Sequence, residues 1–433
     1  MVKSGSADIR RRHALWPVAS TLIIIVVLAI LTAFVVTRTS VSSTVMVDQS
    51  TQPVGGVSST KSAEIVYLIS RLTPSDPYGQ ETGRVRVVNL KTGEIVKTIE
   101  TGGQPDVAVA PNGERLYMAA LEKTGDVSED TLAAFDTATW QVVWKTKIEG
   151  SSPTDWGRVV YIGNNGPSAL VISPDGRQVL VYKYAGHDSW VTRIDTATGA
   201  LLAESPRMSY CDTADLTSSP NGQWLYISCY GSNDVRFMNA TTLQVEAVLA
   251  IPGAPFAEGP GVPPYTPIGG VPGLMVGSVL SADGHWLYVV TDEPRIALVD
   301  LERRSIESWV DLGRQGYPAV ASGSVTLSKD GSRLSLGLRT KGADSEADEI
   351  RSFDTRSWKK IGQLRTGEGI VQLKAGQDAN HLLSLLRTVQ VDGQTLHTHT
   401  MFSIQDLAQS RAASPLNLGL SDNEEIVRFV IAP

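Results

Sequence analysis

From Ala63 to the C-terminus the chain is a succession of short apolar runs punctuated by Gly, Pro, Asn and Asp. One phrase recurs: an apolar run ending in Asp or Asn, a Thr-rich turn, and a second apolar run. Its copies are VVNLKTGEIV (Asn89), AAFDTATWQVV (Asp136), TRIDTATGALL (Asp195), RFMNATTLQVE (Asn239), ALVDLERRSIE (Asp300), RSFDTRSWKKI (Asp354) and a degenerate MFSIQDLAQ, aligned on Ser403. Successive spacings are 47, 59, 44, 61, 54 and 49 residues. Such periods belong to propeller blades or solenoid units. Each phrase has the chemistry of a turn: the side-chain oxygen accepts from the backbone two residues on, and Gly93 or Gly199 supplies a positive φ.

A second repeat is interleaved with the first. The turns at Asn112-Gly113, Asp175-Gly176, Asn221-Gly222, Asp283-Gly284 and Asp330-Gly331 each join two apolar runs, the strongest short-range hairpin signal; a sixth, near Gln377 and Asp378, lacks glycine. Each unit therefore holds four strands, and four antiparallel strands repeated radially make a propeller blade. Six innermost strands precede these turns, and the seventh, EIVRFVIAP, stops at Pro433 where its turn would begin. The first strand, Ala63–Ser70, lacks an inner partner. The expectation is an all-β, seven-bladed β-propeller of four-stranded antiparallel blades over residues 63–433. The C-terminal strand should complete the N-terminal blade and so remove the exposed edges of the ring.

The runs LYVVTDEPRIALVDLERRSIE and SPNGQWLYISCYGSNDVRFMNATTLQV resemble the YVTN-type repeat of bacterial seven-bladed β-propellers. That resemblance implies the fold. It leaves activity open, because the family holds extracytoplasmic binding proteins, lactonase-like enzymes and the heavy subunits of amine dehydrogenases.

Trp16–Val36 is an uncharged run of 21 residues, long enough to cross a bilayer as a helix. Lys3, Arg10, Arg11 and Arg12 precede it, which places residues 1–15 in the cytoplasm and the propeller outside, on a single-pass membrane anchor. A cleaved signal peptide has a shorter apolar region and a small-residue cleavage site, so an uncleaved signal-anchor is expected here. Residues 37–62, rich in Ser, Thr and Gly, read as a flexible linker. Residues 39–433 carry 33 basic and 44 acidic side chains, a formal −11, which argues against a nucleic-acid partner.

Cys211 and Cys229, the only cysteines, lie nine residues either side of Pro220. In an antiparallel hairpin that symmetry makes them neighbours, and an oxidising compartment permits a disulfide. Two cysteines are too few for a structural zinc site. The ligand face of the propeller is expected where the inter-blade loops and the second-to-third-strand loops open. Trp156, His187, Asp188, Asp212, Asp234, Asp292 and Glu293 are the candidate channel-mouth residues there. His187, beside Asp188, is the sole candidate general base. The mouth carboxylates have the chemistry to hold Ca²⁺, but no spaced ligand motif accompanies them. His397 and His399 share a strand face in the outer half of a blade and read as structural. No nucleophile elbow, phosphate loop or dinucleotide fingerprint is present. The leading expectation is a membrane-anchored binding or scaffold module for a small ligand or protein partner, with no catalytic residues assigned. A metal-assisted lactonase-like hydrolase and a non-catalytic subunit of an amine-dehydrogenase-like complex are the alternatives.

Overall fold

The computed structural model describes residues 65–433 apart from 73–81, 125–126, 149–169, 186–187, 210, 212, 230–231, 253–274, 292–294, 313–323, 339–346, 367–368, 377–380, 393–394, 407–410, 413–415, 417, 419 and 422. The anchor run and linker expected at 16–62 lie outside the described residues. No helix among the described residues is long and apolar enough to cross a membrane.

Seven antiparallel sheets of four main strands follow one another along the chain. Blade I takes β1 (Ile65–Leu72), β2 (Thr82–Asn89) and β3 (Ile95–Thr101). Blade II is β4 (Asp106–Val109), β5 (Arg115–Thr124), β6 (Val127–Asp136) and β7 (Val142–Lys147). Blade III is β8 (Leu170–Ile172), β9 (Gln178–Ala185), β10 (Asp188–Asp195) and β11 (Leu201–Glu204), with the two-residue β12 (Met208–Ser209) added beside β10. Blade IV is β13 (Thr213–Ser218), β14 (Trp224–Cys229), β15 (Asp234–Asn239) and β16 (Val245–Ala250). Blade V is β17 (Met275–Leu280), β18 (Trp286–Thr291), β19 (Arg295–Asp300) and β20 (Ser305–Asp311). Blade VI is β21 (Val325–Leu327), β22 (Arg333–Leu338), β23 (Glu349–Asp354) and β24 (Lys360–Arg365). Blade VII is β25 (Gly369–Ala375), β26 (His381–Asp392), β27 (Thr395–Asp406) and β28 (Arg411–Ala412). The chain's last strand, β29 (Glu424–Ile431), pairs antiparallel with β1 and is the inner strand of blade I.

The ring closes through its seams. Among the described residues the apolar core falls into seven clusters, each shared by two neighbouring blades. Tyr67 and Leu116 join blades I and II, Tyr226 and Leu287 join IV and V, and Phe402 and Phe429 join VII and I. This explains the two hydrophobic patterns of the strands. Second and third strands are covered on both faces by neighbouring blades, so β14 (WLYISC) and β18 (WLYVVT) are buried along almost their whole length. Outermost strands keep one face in water, and β7 (VVWKTK) alternates accordingly.

The recurrent Asp or Asn ties each of the six described outer turns. Asp136 Oδ1 accepts from the backbone N–H of Ala138 (3.1 Å) and Thr139 (2.9 Å), while Thr137 Oγ1 donates to the carbonyl of Gly113 in the same blade's other hairpin (2.7 Å). Thr196 and Thr355 do the same to Gly176 and Gly331. The fifth residue of each turn adopts a positive φ, and only two of six are glycine: Gly93, Trp140, Gly199, Leu243, Arg304 and Trp358. The four larger residues reach the preceding seam. Trp358 packs edge-on to Tyr288 (5.5 Å), and Arg304 lies over Trp224 (4.5 Å). Gly199 does the reverse: a Cβ there would come within 2.6 Å of Trp144, whose Nε1 donates to Thr196 O (2.8 Å).

The structure corrects the seventh repeat. His381 pairs with Asp406, the register that joins Arg115 to Asp136 in blade II, so the phrase ends on Asp406 and Ser403 lies within β27. The degenerate sequence concealed a three-residue offset.

Candidate functional site

One backbone bond recurs at the foot of every inner strand and sets a common register. It runs from the N–H of Ala110, Ser173, Ser219, Ser281, Ser328, Gly376 and Ala432 to the carbonyl of Arg115, Gln178, Trp224, Trp286, Arg333, His381 and Ile65, respectively. Four residues before each of these donors lies one level of the channel wall. Its described occupants are Arg428 in blade I, Asp106 in II, Asp215 in IV, Gly277 in V, Ser324 in VI and Gln372 in VII. A wall built from apolar strands thus carries polar or charged side chains at one height in five of the six described blades.

Backbone geometry explains how these side chains are aimed. In blades I, IV, V and VII the strand register slips by one residue immediately before this level, at Val427, Ala214, Val276 and Val371. A bulge of this kind re-aims the following side chain and disrupts the local ladder. The inner edge of each blade has no further strand to pair with, so its N–H groups need other acceptors. Neighbouring blades provide them: Asp215 Oδ2 accepts from Ser278 N (2.6 Å), Gln372 Oε1 from Phe429 N (2.7 Å), and, one step down the wall, Thr326 Oγ1 from Ala375 N (2.9 Å).

The charges divide into closed and open groups. Arg428 Nη1 donates to Asp106 Oδ1 at 2.6 Å, both side chains being almost fully buried. Asp215 and Lys374 have no such closure. Asp215 receives Ser278 N and Ser278 Oγ (3.3 Å) on one oxygen, and its other oxygen has no partner among the described residues. The Lys374 ammonium has neither an ion pair nor a hydrogen bond among the described residues. Both side chains are partly reachable by water, as a channel wall must be, though protein encloses them deeply. Burial pushes the Asp215 carboxyl up to about 6, against the opposing pull of the Ser278 N–H and the positive charges of Lys374 and Arg428. Burial likewise lowers the Lys374 ammonium, reinforced by Arg428 and opposed by Asp215. Blades IV, VII and I therefore converge three charges on one space. Gly277 lies beside Asp215: a Cβ there would be 3.9 Å from Asp215 Oδ2 and 3.1 Å from Val325. The buried Arg428 Nε and Ser324 Oγ have no hydrogen-bond partner among the described residues.

Other charge clusters are internally matched. Where β29 begins, Glu424 binds Arg84 (2.7 Å) and Arg86, Glu425 binds Arg71 (2.6 Å), and Glu100 binds Arg84 (2.6 Å). Between blades II and III, the buried Lys183 pairs with Glu204 (3.3 Å), and Arg207 stacks on Trp190 (3.3 Å). Burial raises Asp130 there to about 6, with Lys183 pulling the other way.

Two of the residues expected at the channel mouth can be placed. Asp188 opens β10 and accepts from Ser209 Oγ (3.1 Å); Asp234 opens β15 and binds Arg236 Nε (3.1 Å). Arg236 Nη2 in turn donates to Ser209 O (3.0 Å), so the III–IV seam joins both aspartates in one network. Trp156, His187, Asp212, Asp292 and Glu293 lie outside the described residues. His397 and His399 fall on β27, opposite Gln390 and Thr388. Among the described residues no three His, Cys, Asp or Glu side chains gather as a metal centre requires. The disulfide Cys211–Cys229 is formed, with Cα atoms 4.6 Å apart. The cross-strand partner of Cys229 is Thr213, however, because the hairpin is centred on Asn221-Gly222 rather than on Pro220, which leaves Cys211 just outside β13.

Asp106, Asp215, Lys374 and Arg428 were not singled out from the sequence. Their signal is a charged residue inside PDVAVAP, ADLTSSP, IVQLKAG and EIVRFVIAP. It becomes visible only when those strands are aligned on their closing bonds.

No protein-family model matches the chain, and no curated protein matches it in sequence. Solved structures do match its fold. A functionally unknown protein from Desulfotomaculum acetoxidans DSM 771 aligns with a TM-score of 0.53 at 12% identity, over 81% of this chain and 96% of that one. The Cps50 (Swd1) β-propeller domain of Myceliophteria thermophila gives 0.48 at 14% identity, over 72% and 84%. The hydrazine synthase of Kuenenia stuttgartiensis gives 0.43 at 20% identity, over 62% and 70%. At these identities the likeness concerns the fold alone.

Proposed function

We propose that this protein is a membrane-anchored, extracytoplasmic binding module of the YVTN-repeat type, whose ligand site is the wall of the central channel at Asp215, Lys374 and Arg428. The observation that carries the reading is the open pair: a carboxyl and an ammonium are held in the channel with coordination left unfilled among the described residues. Burying unpaired charge is costly, and a purely structural channel has no need of it. The Cys211–Cys229 disulfide supports an oxidising compartment, and the uncharged run Trp16–Val36 behind Arg10–Arg12 supports a retained anchor with the propeller outside.

The site is tested by denaturing the purified full-length chain and identifying released small molecules by mass spectrometry, beside a D215N/K374M double variant. A ligand released by the wild type and lost from the variant is expected. If nothing is released and no compound in a broad polar library shifts the melting temperature of the wild type, the channel is not a binding site. The anchor is tested by carbonate extraction and the mass of the mature N-terminus: the chain should stay with the membrane pellet and retain residues 1–38.

A further inference from the structure

The arrangement of the open charges points to a ligand class, and this step rests on the channel being a binding site. We infer that the channel takes a small zwitterionic or hydroxylated carboxylate, its anionic end held by Lys374 and Arg428 and its ammonium or hydroxyl end by Asp215.

The chemistry is directional. Among the described residues the Lys374 ammonium has no ion pair or hydrogen bond, and Arg428 offers an unpartnered, buried Nε while Asp106 holds its Nη1. Two cations whose charges act on one another in an enclosed space favour an anion between them, and a carboxylate has two oxygens for that purpose. Arg428 is held by Asp106, so its planar donors are already oriented and little freedom is lost on binding. Asp215 has the opposite requirement. One of its oxygens is saturated by Ser278, and the other, without a partner among the described residues, accepts only while the carboxylate is ionised. Since Lys374 and Arg428 sit in blades VII and I and Asp215 in blade IV, the two ends of the ligand are recognised from different sides of the channel. A simple anion satisfies the cations but leaves Asp215 ionised and unbalanced. A simple amine does the converse.

The titration of Asp215 gives the test a second axis. The groups whose charges act on it are Lys374 and Arg428, with Ser278 as hydrogen-bond donor. Above about pH 6 the carboxylate accepts a ligand ammonium; below it, the protonated carboxyl no longer repels a plain carboxylate but has lost its attraction for a cation.

The experiment is calorimetric titration of the full-length chain with ω-aminocarboxylates of two to six carbons, the matching ω-hydroxycarboxylates, plain carboxylates and alkylamines, at pH 5 and pH 8. At least one aminocarboxylate or hydroxycarboxylate should bind ten-fold or more tightly than the equal-length carboxylate and amine at pH 8. An aminocarboxylate should weaken at pH 5 while the plain carboxylate strengthens. D215N should remove the preference for the two-ended ligand, and K374M should weaken every carboxylate at least ten-fold. The wild-type series and its pH crossover need no variant, so a folding defect in either mutant leaves the test intact. If other polar molecules bind in a manner sensitive to D215N or K374M but the two-ended series shows no preference, this ligand class is wrong and the channel site stands. If no compound of these series binds, the ligand class falls, and the channel site stands or falls by the release and library tests.

Discussion

Replacing Asp215 by Asn isolates the energetic cost of the open carboxylate. The amide keeps an oxygen for the Ser278 N–H, so only the charge is lost. Burial moves the carboxyl from its usual 3.8 to about 6, and this net shift already includes the favourable action of Ser278, Lys374 and Arg428. At about 1.4 kcal/mol per unit, the ionised form costs the fold about 3 kcal/mol. Water reaches Asp215 in part, and screening reduces that figure, so the expected gain from D215N is about 1–3 kcal/mol. The folded state favours the protonated acid. The contribution of Asp215 is therefore best below about pH 4, falls as pH rises to about 6, and is flat above. D215N should match the wild type at pH 4 and exceed it at pH 8. The assay is urea unfolding of the full-length chain across that range. Asp130 titrates in the same window in both proteins, so the difference curve reports Asp215 alone. A variant less stable than the wild type at pH 8, or a difference independent of pH, would refute the reasoning.

Four further outcomes are expected. Gly199→Ala should destabilise more than Gly113→Ala in denaturant unfolding: both carry the left-handed penalty of about 1–2 kcal/mol, but only the first drives a Cβ into Trp144, whereas nothing lies within 4 Å of the second. Cys211→Ala with Cys229→Ala should cost about 2–4 kcal/mol by the same measurement, and dithiothreitol should reduce the wild type to a similar midpoint. Deleting residues 424–433 should abolish soluble, cooperatively folding protein, because it removes the inner strand of blade I together with the buried Ile426 and Phe429. Moving that segment to precede Ile65 through a Pro-Asn-Gly turn should restore folding, since Ala432 N already bonds Ile65 O (2.9 Å) as the hairpins of the other blades do; circular dichroism and a single melting transition check both chains.

The two interleaved turns made the fold legible in the sequence. Asx side chains and left-handed glycines act over three or four residues, so their signature survives without knowledge of the neighbours. That is why blade number, strand count per blade and closure by EIVRFVIAP could be anticipated. The disulfide was legible too, although the hairpin is centred on Asn221-Gly222 rather than on Pro220, and the bulge at Ala214 then sets Thr213 opposite Cys229. Bulges leave no comparable mark. The same limit applied to Ser403, where a weakened turn allowed the repeat to be misaligned by three residues.

The sequence by itself determined a ring of seven four-stranded blades and the symmetry of its cysteines, because hydrophobic alternation and turn chemistry are local. Only the tertiary structure decided where the unmatched charges meet. Asp215, Lys374 and Arg428 are far apart along the chain, and each is unexceptional among its sequence neighbours. Ring closure turns them toward one channel from different blades, where enclosure raises the acid and lowers the ammonium.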